Sequence, residues 1–163
     1  MADDRTAVSA ARILDPQTLT EKAGSAYPAD LSKELEGRFR RGLGNPLGIR
    51  NFGVNLLRLA PGAWSSQRHW HTRQDELIYI LEGEVVLITN AGEEKLRAGM
   101  VAGFPAGGAN AHHLVNQGDR DALVLEVGDR TQGDDVVYPD VDMTAHMELP
   151  AYSFTKKDGT SFD

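Results

Sequence analysis

A chain of 163 residues, 40% of them hydrophobic, has the size of one domain with a core of its own. Its 24 acidic residues outnumber 17 basic ones, for a formal net charge of −7, and no stretch gathers cations into a stripe that a nucleic-acid backbone would follow, so nucleic-acid binding is not expected. The absence of cysteine excludes disulfides and thiolate metal sites and fits a reducing compartment. The apolar runs, such as 77–81 and 85–88, fall far below the ~20 residues of a membrane-spanning helix. The amino end, "MADDRTAVSAARILD", lacks the basic start and apolar centre of an export signal, so a cytoplasmic location is expected.

Residues 1–48 carry Pro16, Pro28 and Pro46 and the helix-like stretches "DPQTLTEKAG" and "PADLSKELEGRFRRGLG". With Asp15 as an N-cap and Gly24 and Gly42 as stops, they predict an arm with one or two short helices. From about residue 49 to 128 the pattern changes to short apolar runs punctuated by Gly, Pro, Asn and Asp: "FGVNLLRLAPG", "ELIYILEG", "EVVLITNAGEE", "AGMVAGFPAGG", "HHLVNQGD" and "ALVLEVGD". This is the signature of an all-β sandwich or jelly roll, with "TNAG" and "NQGD" as hairpin-like turns. Residues 129–163 are acidic and irregular, as in "GDDVVYPDVDM", and predict an extension that wraps the core before fraying.

In "ELIYIL" both alternating sets are apolar: Ile78 and Ile80 share the side of Glu76, and Leu77, Tyr79 and Leu81 occupy the other. Such a strand calls for two covers. One is the barrel interior, and the other is the amino-terminal arm or a second subunit.

The stretch "RHWHTRQDE" carries the chemistry. Residues two apart on a strand point the same way, so His69 and His71 project from one face about 7 Å apart at the backbone, with Trp70 pointing away. The turn that follows brings back either Asp75 or Glu76, and strand phase favours Glu76 as the inward carboxylate. A second pair, His112 and His113, falls in "FPAGGANAHHLVN" on a predicted strand, where neighbours face opposite ways and one must lie outside unless a bulge intervenes. His146 stands alone and reads as a surface residue.

Residues 62–83, "GAWSSQRHWHTRQDELIYILEG", resemble the first motif of the cupin superfamily, G-x5-H-x-H-x3/4-E-x6-G, and residues 99–116, "GMVAGFPAGGANAHHLVN", resemble the second, G-x5-P-x-G-x2-H-x3-N. The resemblance implies a double-stranded β-helix and, position by position, a metal site of His69, His71, Glu76 and His112, with His113 facing outward and Gly99, Pro105 and Gly107 at turn positions. Two spacings depart from the pattern. Six residues separate Gly62 from His69, and four separate Gly107 from His112, so strict counting would put Asn110 at the fourth ligand position. A two-residue loop insertion keeps His112 as the ligand and leaves Asn110 at the entrance.

Three imidazoles and a carboxylate suit Zn, Mn, Fe, Ni or Cu. A small polar or carbohydrate-like ligand is expected, and the doubly apolar strand "ELIYIL" leads us to expect a homodimer. Three activities are compatible: a sugar-phosphate isomerase, a dioxygenase, and a non-catalytic ligand-binding or sensing module. Arg58 and Arg68 are the cations nearest the first motif and read as solvated charges. Asn55 and Glu126 are further candidate lining groups, and Ile78, Ile80 and Leu114 serve either as core or as an apolar wall.

Overall fold

The computed structural model describes residues 11–148 and 151–162. Thirteen strands follow in chain order: β1 (Lys22–Ala23), β2 (Arg38–Gly42), β3 (Phe52–Leu59), β4 (Trp70–His71), β5 (Glu76–Glu82), β6 (Glu84–Thr89), β7 (Gly92–Arg97), β8 (Val101–Phe104), β9 (His113–Val115), β10 (Ala122–Asp129), β11 (Asp135–Val137), β12 (Thr144–Glu148) and β13 (Ala151–Thr155). One six-stranded sheet has the order β1-β2-β3-β10-β5-β8. A four-stranded sheet, β13-β12-β11-β4, and a three-stranded sheet, β7-β6-β9, are linked by an antiparallel bridge between His69 and His112 into an opposing layer. This is a jelly-roll barrel, and Leu57, Leu59, Ile80, Val85, Leu114 and Val124 fill the space between the layers. No helix among the described residues is long and apolar enough to cross a membrane.

The arm differs from the expectation. Among its described residues the helices are three single 3-10 turns, Pro16–Thr18, Ala29–Leu31 and Lys33–Leu35. Asp15 does cap the first, accepting a hydrogen bond from the Gln17 N–H at 2.9 Å. Residues 38–42, read as the end of a helix, instead pair with β3 from Arg38↔Leu59 to Gly42↔Asn55. Gly37, at φ +83°, breaks the helical run, and a full row of ladder hydrogen bonds outweighs the weak helical propensity that follows. The carboxy-terminal segment is also more regular than its composition suggested, since β11, β12 and β13 form an antiparallel run beside β4.

"TNAG" is the expected hairpin turn, with Thr89 paired to Gly92. "NQGD" is not a hairpin, because β9 pairs with β6 while β10 pairs with β3 and β5. The buried Asn116 shapes this crossover, donating to the Leu59 and Arg120 carbonyls and accepting from the Gly118 N–H.

Gly83 makes the step from β5 to β6 at φ +74°, where a Cβ would lie 2.9 Å from the Asp121 carbonyl oxygen. Gly83→Ala therefore adds left-handed strain of about 1–2 kcal/mol to a backbone clash. A stability loss of at least that size is expected in equilibrium denaturation, and an unchanged midpoint would contradict it.

Along β5, Ile78 and Ile80 are buried, whereas Leu77, Tyr79 and Leu81 are 39–42% exposed on the outer face. The described part of the arm pairs at the far side of the sheet, beyond β3, and does not cover them.

Candidate metal centre

His69 and His112 sit directly opposite each other, His69 N–H donating to the His112 carbonyl at 3.1 Å and His112 N–H to the His69 carbonyl at 2.8 Å. Residues exchanging both hydrogen bonds lie about 5.5 Å apart at Cα and project to the same side. His71, two residues beyond His69 and paired with Val136, shares that face. Glu76 approaches from the opposing sheet, where it opens β5 between Gly128 and Phe104. One layer thus supplies three imidazoles and the other supplies the carboxylate.

The four side chains converge on one oxygen. Glu76 Oε2 lies 3.1 Å from His112 Nε2, 3.4 Å from His71 Nε2 and 3.6 Å from His69 Nε2. Donor atoms of His69, His71 and Glu76 all fall within 4.8 Å of one another. Donors bound about 2.1 Å from a common ion stand ~3.0 Å apart at right angles and ~3.4 Å apart at the tetrahedral angle. The spacings of His112 and His71 to Oε2 fall in that range, and His69, at 3.6 Å, stands just beyond it. Although 28% of the Glu76 side chain is accessible, Oε2 itself is sealed from solvent and accepts no hydrogen bond. A buried carboxylate oxygen ringed by imidazole nitrogens is costly unless a positive charge serves it, either a protonated imidazole or a metal ion.

Neighbouring groups set the tautomers. His71 Nδ1–H donates to Asp134 Oδ2 at 2.6 Å, and Asp134 Oδ1 accepts from the Arg73 N–H at 2.8 Å and the Thr72 hydroxyl at 3.2 Å. His69 Nδ1–H donates to the Gln67 carbonyl at 2.9 Å. Both rings in their neutral form therefore turn an Nε2 lone pair toward Glu76. The His112 ring stacks flat on Phe104, with centroids 3.5 Å apart, and its Nδ1 has no partner among the described residues.

Charge distribution follows this geometry. Burial resists ionisation of Glu76, but His112, His69 and His71 outweigh it and hold its carboxyl well below the ordinary range. Burial likewise resists protonation of His71, yet Glu76 and Asp134 prevail and raise it to about 9. Burial lowers His112, with Glu76 opposing. His71 is thus protonated at neutral pH in the metal-free chain, and an arriving cation must expel that proton. Calorimetry of metal uptake at pH 7.5 in buffers of different ionisation heat is expected to show release of about one proton per ion; uptake without release would contradict this protonation state.

The other sequence candidates divide. His113 points away from the cluster, as expected, but it is not on the surface: it is 4% exposed, packs edge-on against Trp64 with centroids 4.5 Å apart, and donates from Nδ1 to the Ser66 carbonyl. Asn110 is exposed and accepts from the Asn90 N–H at 3.0 Å, so it braces the β6–β7 turn and is not among the residues that line the cavity. His146 has company after all, lying 2.6 Å from Asp135. Arg58 pairs with Glu21 and Asp121, and Arg68 with Asp140 and Asn90, all away from the cluster. Sequence reasoning missed Asp134, which is 1% exposed.

A cavity of about 360 Å³ opens beside the cluster. Ile78 and Leu114 belong to its wall, as do Asn55 and Glu126, whereas Ile80 is wholly core. Cross-strand pairing sets two inward rows on the six-stranded sheet: Gly42, Asn55, Glu126, Ile78 and Ala102 in one, and Gly53, Gly128, Glu76 and Phe104 in the next. The two glycines keep the space beside Glu76 clear. Tyr27, Tyr138 and Tyr152 close the opposite side, with Tyr138 donating to Tyr27 at 3.2 Å and Tyr152 donating to Gln74 at 3.2 Å. Burial pushes all three phenols up, so they remain protonated donors.

A double-layered barrel with this clustered inner face defines a cupin, and residues 55–128 match the Cupin domain family. The chain belongs to the cupin superfamily. It is similar to a sugar phosphate isomerase of the cupin superfamily from Silicibacter pomeroyi, with 41% identity over 93% of this chain and 97% of that one and a TM-score of 0.88. A candidate sugar phosphate isomerase from Acidithiobacillus ferrooxidans is 25% identical over 77% of this chain and 81% of its own, at a TM-score of 0.67. The polyketide cyclase RemF from Streptomyces resistomycificus, 20% identical over 72% of this chain and 78% of its own with a TM-score of 0.60, shares the fold. No protein of curated function matches the chain.

Proposed function

We propose that His69, His71, Glu76 and His112 hold one divalent transition-metal ion, and that the cavity beside it takes a small carbohydrate-like ligand on which the protein acts as a sugar-phosphate isomerase. The observation that carries this reading is the cavity wall. Tyr27, Tyr152, Gln74, Asn55, Glu126 and Arg38 offer donors and acceptors among apolar neighbours such as Ile78, Phe104 and Leu114, around a space that opens on the donor cluster, which suits a ligand carrying several hydroxyls on a carbon frame. The relative from Silicibacter pomeroyi, named as a sugar phosphate isomerase, supports the choice of substrate class.

When bound, the ion supplies Lewis-acid polarisation of a carbonyl and its neighbouring hydroxyl. The chain does the rest. Glu76 is committed to the imidazole cluster, which leaves Glu126, on the same inward face, as the carboxylate that takes a proton from the hydroxyl-bearing carbon and returns it to the adjacent one. Carbonyl and hydroxyl exchange places with no net gain or loss of atoms. Tyr27, whose oxygen accepts from Tyr138, donates its own proton to one of the other hydroxyls, Tyr152 accepts from another, and the glycine pair gives the ligand room.

The test is incubation of metal-loaded protein with a panel of aldose and ketose phosphates. Interconversion without oxygen consumption, abolished by Glu126→Gln at unchanged metal content, is the expected result. Oxygen uptake, or saturable binding without turnover, would overturn it.

A second copy of the chain is the proposed cover for the outer face of β5 and β8. Leu77, Tyr79, Leu81 and Val101 are 39–56% exposed there, and β8 is an edge strand. Sedimentation is expected to give a dimer that Tyr79→Lys converts to monomer; a wild-type monomer would contradict the proposal.

A further inference from the structure

A second cavity of about 490 Å³ continues from the first, sharing Arg38, Arg40, Asn55 and Arg130 with it, and is lined by four cations, including Lys22, and by no Asp or Glu. In a chain of net charge −7, such a concentration of one sign is a local feature of the fold rather than of the composition. We propose that this basic groove binds the phosphate group of the ligand, with Arg38 as the anchor and Arg40, Arg130 and Lys22 around it.

Three features argue for an anion here. First, Arg38 is mostly buried without a counter-ion. Its Nε donates to the Ser65 carbonyl at 2.6 Å and its Nη1 to the Gly24 carbonyl at 2.9 Å, and no carboxylate among the described residues reaches ion-pair distance. Carbonyls orient a guanidinium without neutralising it, Glu126 acts on the Arg38 charge only from beyond contact distance, and a charge withdrawn from water calls for a closer partner of opposite sign. The rest of its donor edge is free to meet oxygens in the bidentate manner typical of arginine and phosphate.

Second, the strand register places like charges together. Lys22 is paired with Arg40 across β1 and β2, and Arg38 and Arg40 are two apart on β2 and so share a face. Like charges directly opposite on a sheet destabilise it, and a dianion among them reverses the sign. Arg40 makes one loose ion pair, its Nε lying 3.9 Å from the Glu126 carboxylate, which offsets only part of this crowding.

Third, Arg130 approaches from the other side already positioned, its Nη2 donating to Asn45 at 2.7 Å and its Nη1 to the Ile49 carbonyl at 3.4 Å. At Asn55 the groove opens into the first cavity, whose wall carries Glu126 and Glu76, so a ligand anchored by its phosphate extends its oxygen-bearing carbons toward the imidazole cluster. This assignment rests on the sugar-phosphate reading above and names the residues that select the charged end.

The experiment titrates inorganic phosphate into the full chain at low salt, with the metal content of each sample measured in parallel. Saturable binding is expected in chelator-treated and metal-loaded protein alike, weakened about ten- to a hundredfold by Arg38→Met and by Arg40→Gln. Arg58→Gln, which alters a cation outside the groove, should leave it unchanged. Arg40 is half-exposed, so its variant keeps the test decisive if Arg38→Met fails to fold. No phosphate binding, equal binding in the Arg40 variant, or acetate binding as tightly as phosphate would overturn the assignment. Phosphate binding intact in protein that takes up no metal would instead sink the metal-centred reading and leave the groove standing.

Discussion

Glu76→Gln is expected to reduce metal affinity by more than about a hundredfold while the fold persists. The bound set would lose its one negative charge, and the replacement amide would place a donor or a neutral oxygen where Oε2 now faces three imidazole nitrogens. Changing a residue that only orients a ligand typically costs about 10–100-fold, so removing the central ligand itself exceeds that range. His69→Ala is expected to strip most of the metal too with the fold retained, because the backbone bridge between residues 69 and 112 does not need the ring. His113→Ala serves as the contrast: metal content should be nearly unchanged, but the vacancy beside Trp64 lowers stability. Competition titration with a chromophoric chelator, alongside circular dichroism, separates the two effects. Full metal retention in the Glu76 variant would refute the assignment.

Asp134→Ala is expected to cost about 3–5 kcal/mol of stability in metal-free protein, the cost of breaking a buried charged pair from one side. The side chain is fully enclosed and serves His71, Thr72 and Arg73 together, so its loss strands three donors at once. Asp134→Asn separates structure from ligation. Its oxygen can still accept from Arg73 and Thr72, but its amide would confront His71 Nδ1–H and favour the tautomer with the proton on Nε2. Metal affinity is then expected to fall about 10–100-fold with only part of the stability loss. Denaturant melts with and without chelator measure both, and an Asn variant with wild-type metal affinity would contradict the tautomer argument.

The sequence and the fold agree where local periodicity carries the information. H-x-H places two imidazoles on one strand face, and the phase of "ELIYIL" turns Glu76 inward with Ile78 and Ile80. His112 was legible through its spacing to Asn116, whose role is structural, since it holds the crossover that returns the chain from β9 to β10. What stayed hidden depends on pairing between distant segments. Asp134 lies beside Asp135 in an acidic stretch that looks solvated, and only the pairing of β11 with β4 turns the first inward and leaves the second to His146. Lys22, Arg38, Arg40 and Arg130 are scattered along the chain, and the register of β1 on β2 and the arrival of the chain after β10 bring them to one groove. Residues 38–42 of the arm differ from the expectation for the same reason. "EGRFRRGLG" has no strong local signature, and its partner β3 decides its conformation.

The most direct test of the central claim is X-ray absorption spectroscopy combined with elemental analysis on the full chain loaded in turn with Mn, Fe, Ni, Cu and Zn. The account predicts about one ion per chain for at least one of these metals, with a shell of three imidazole nitrogens and a carboxylate oxygen near 2.0–2.2 Å. Failure to retain any of the five ions, or a shell without imidazole scattering, would contradict it.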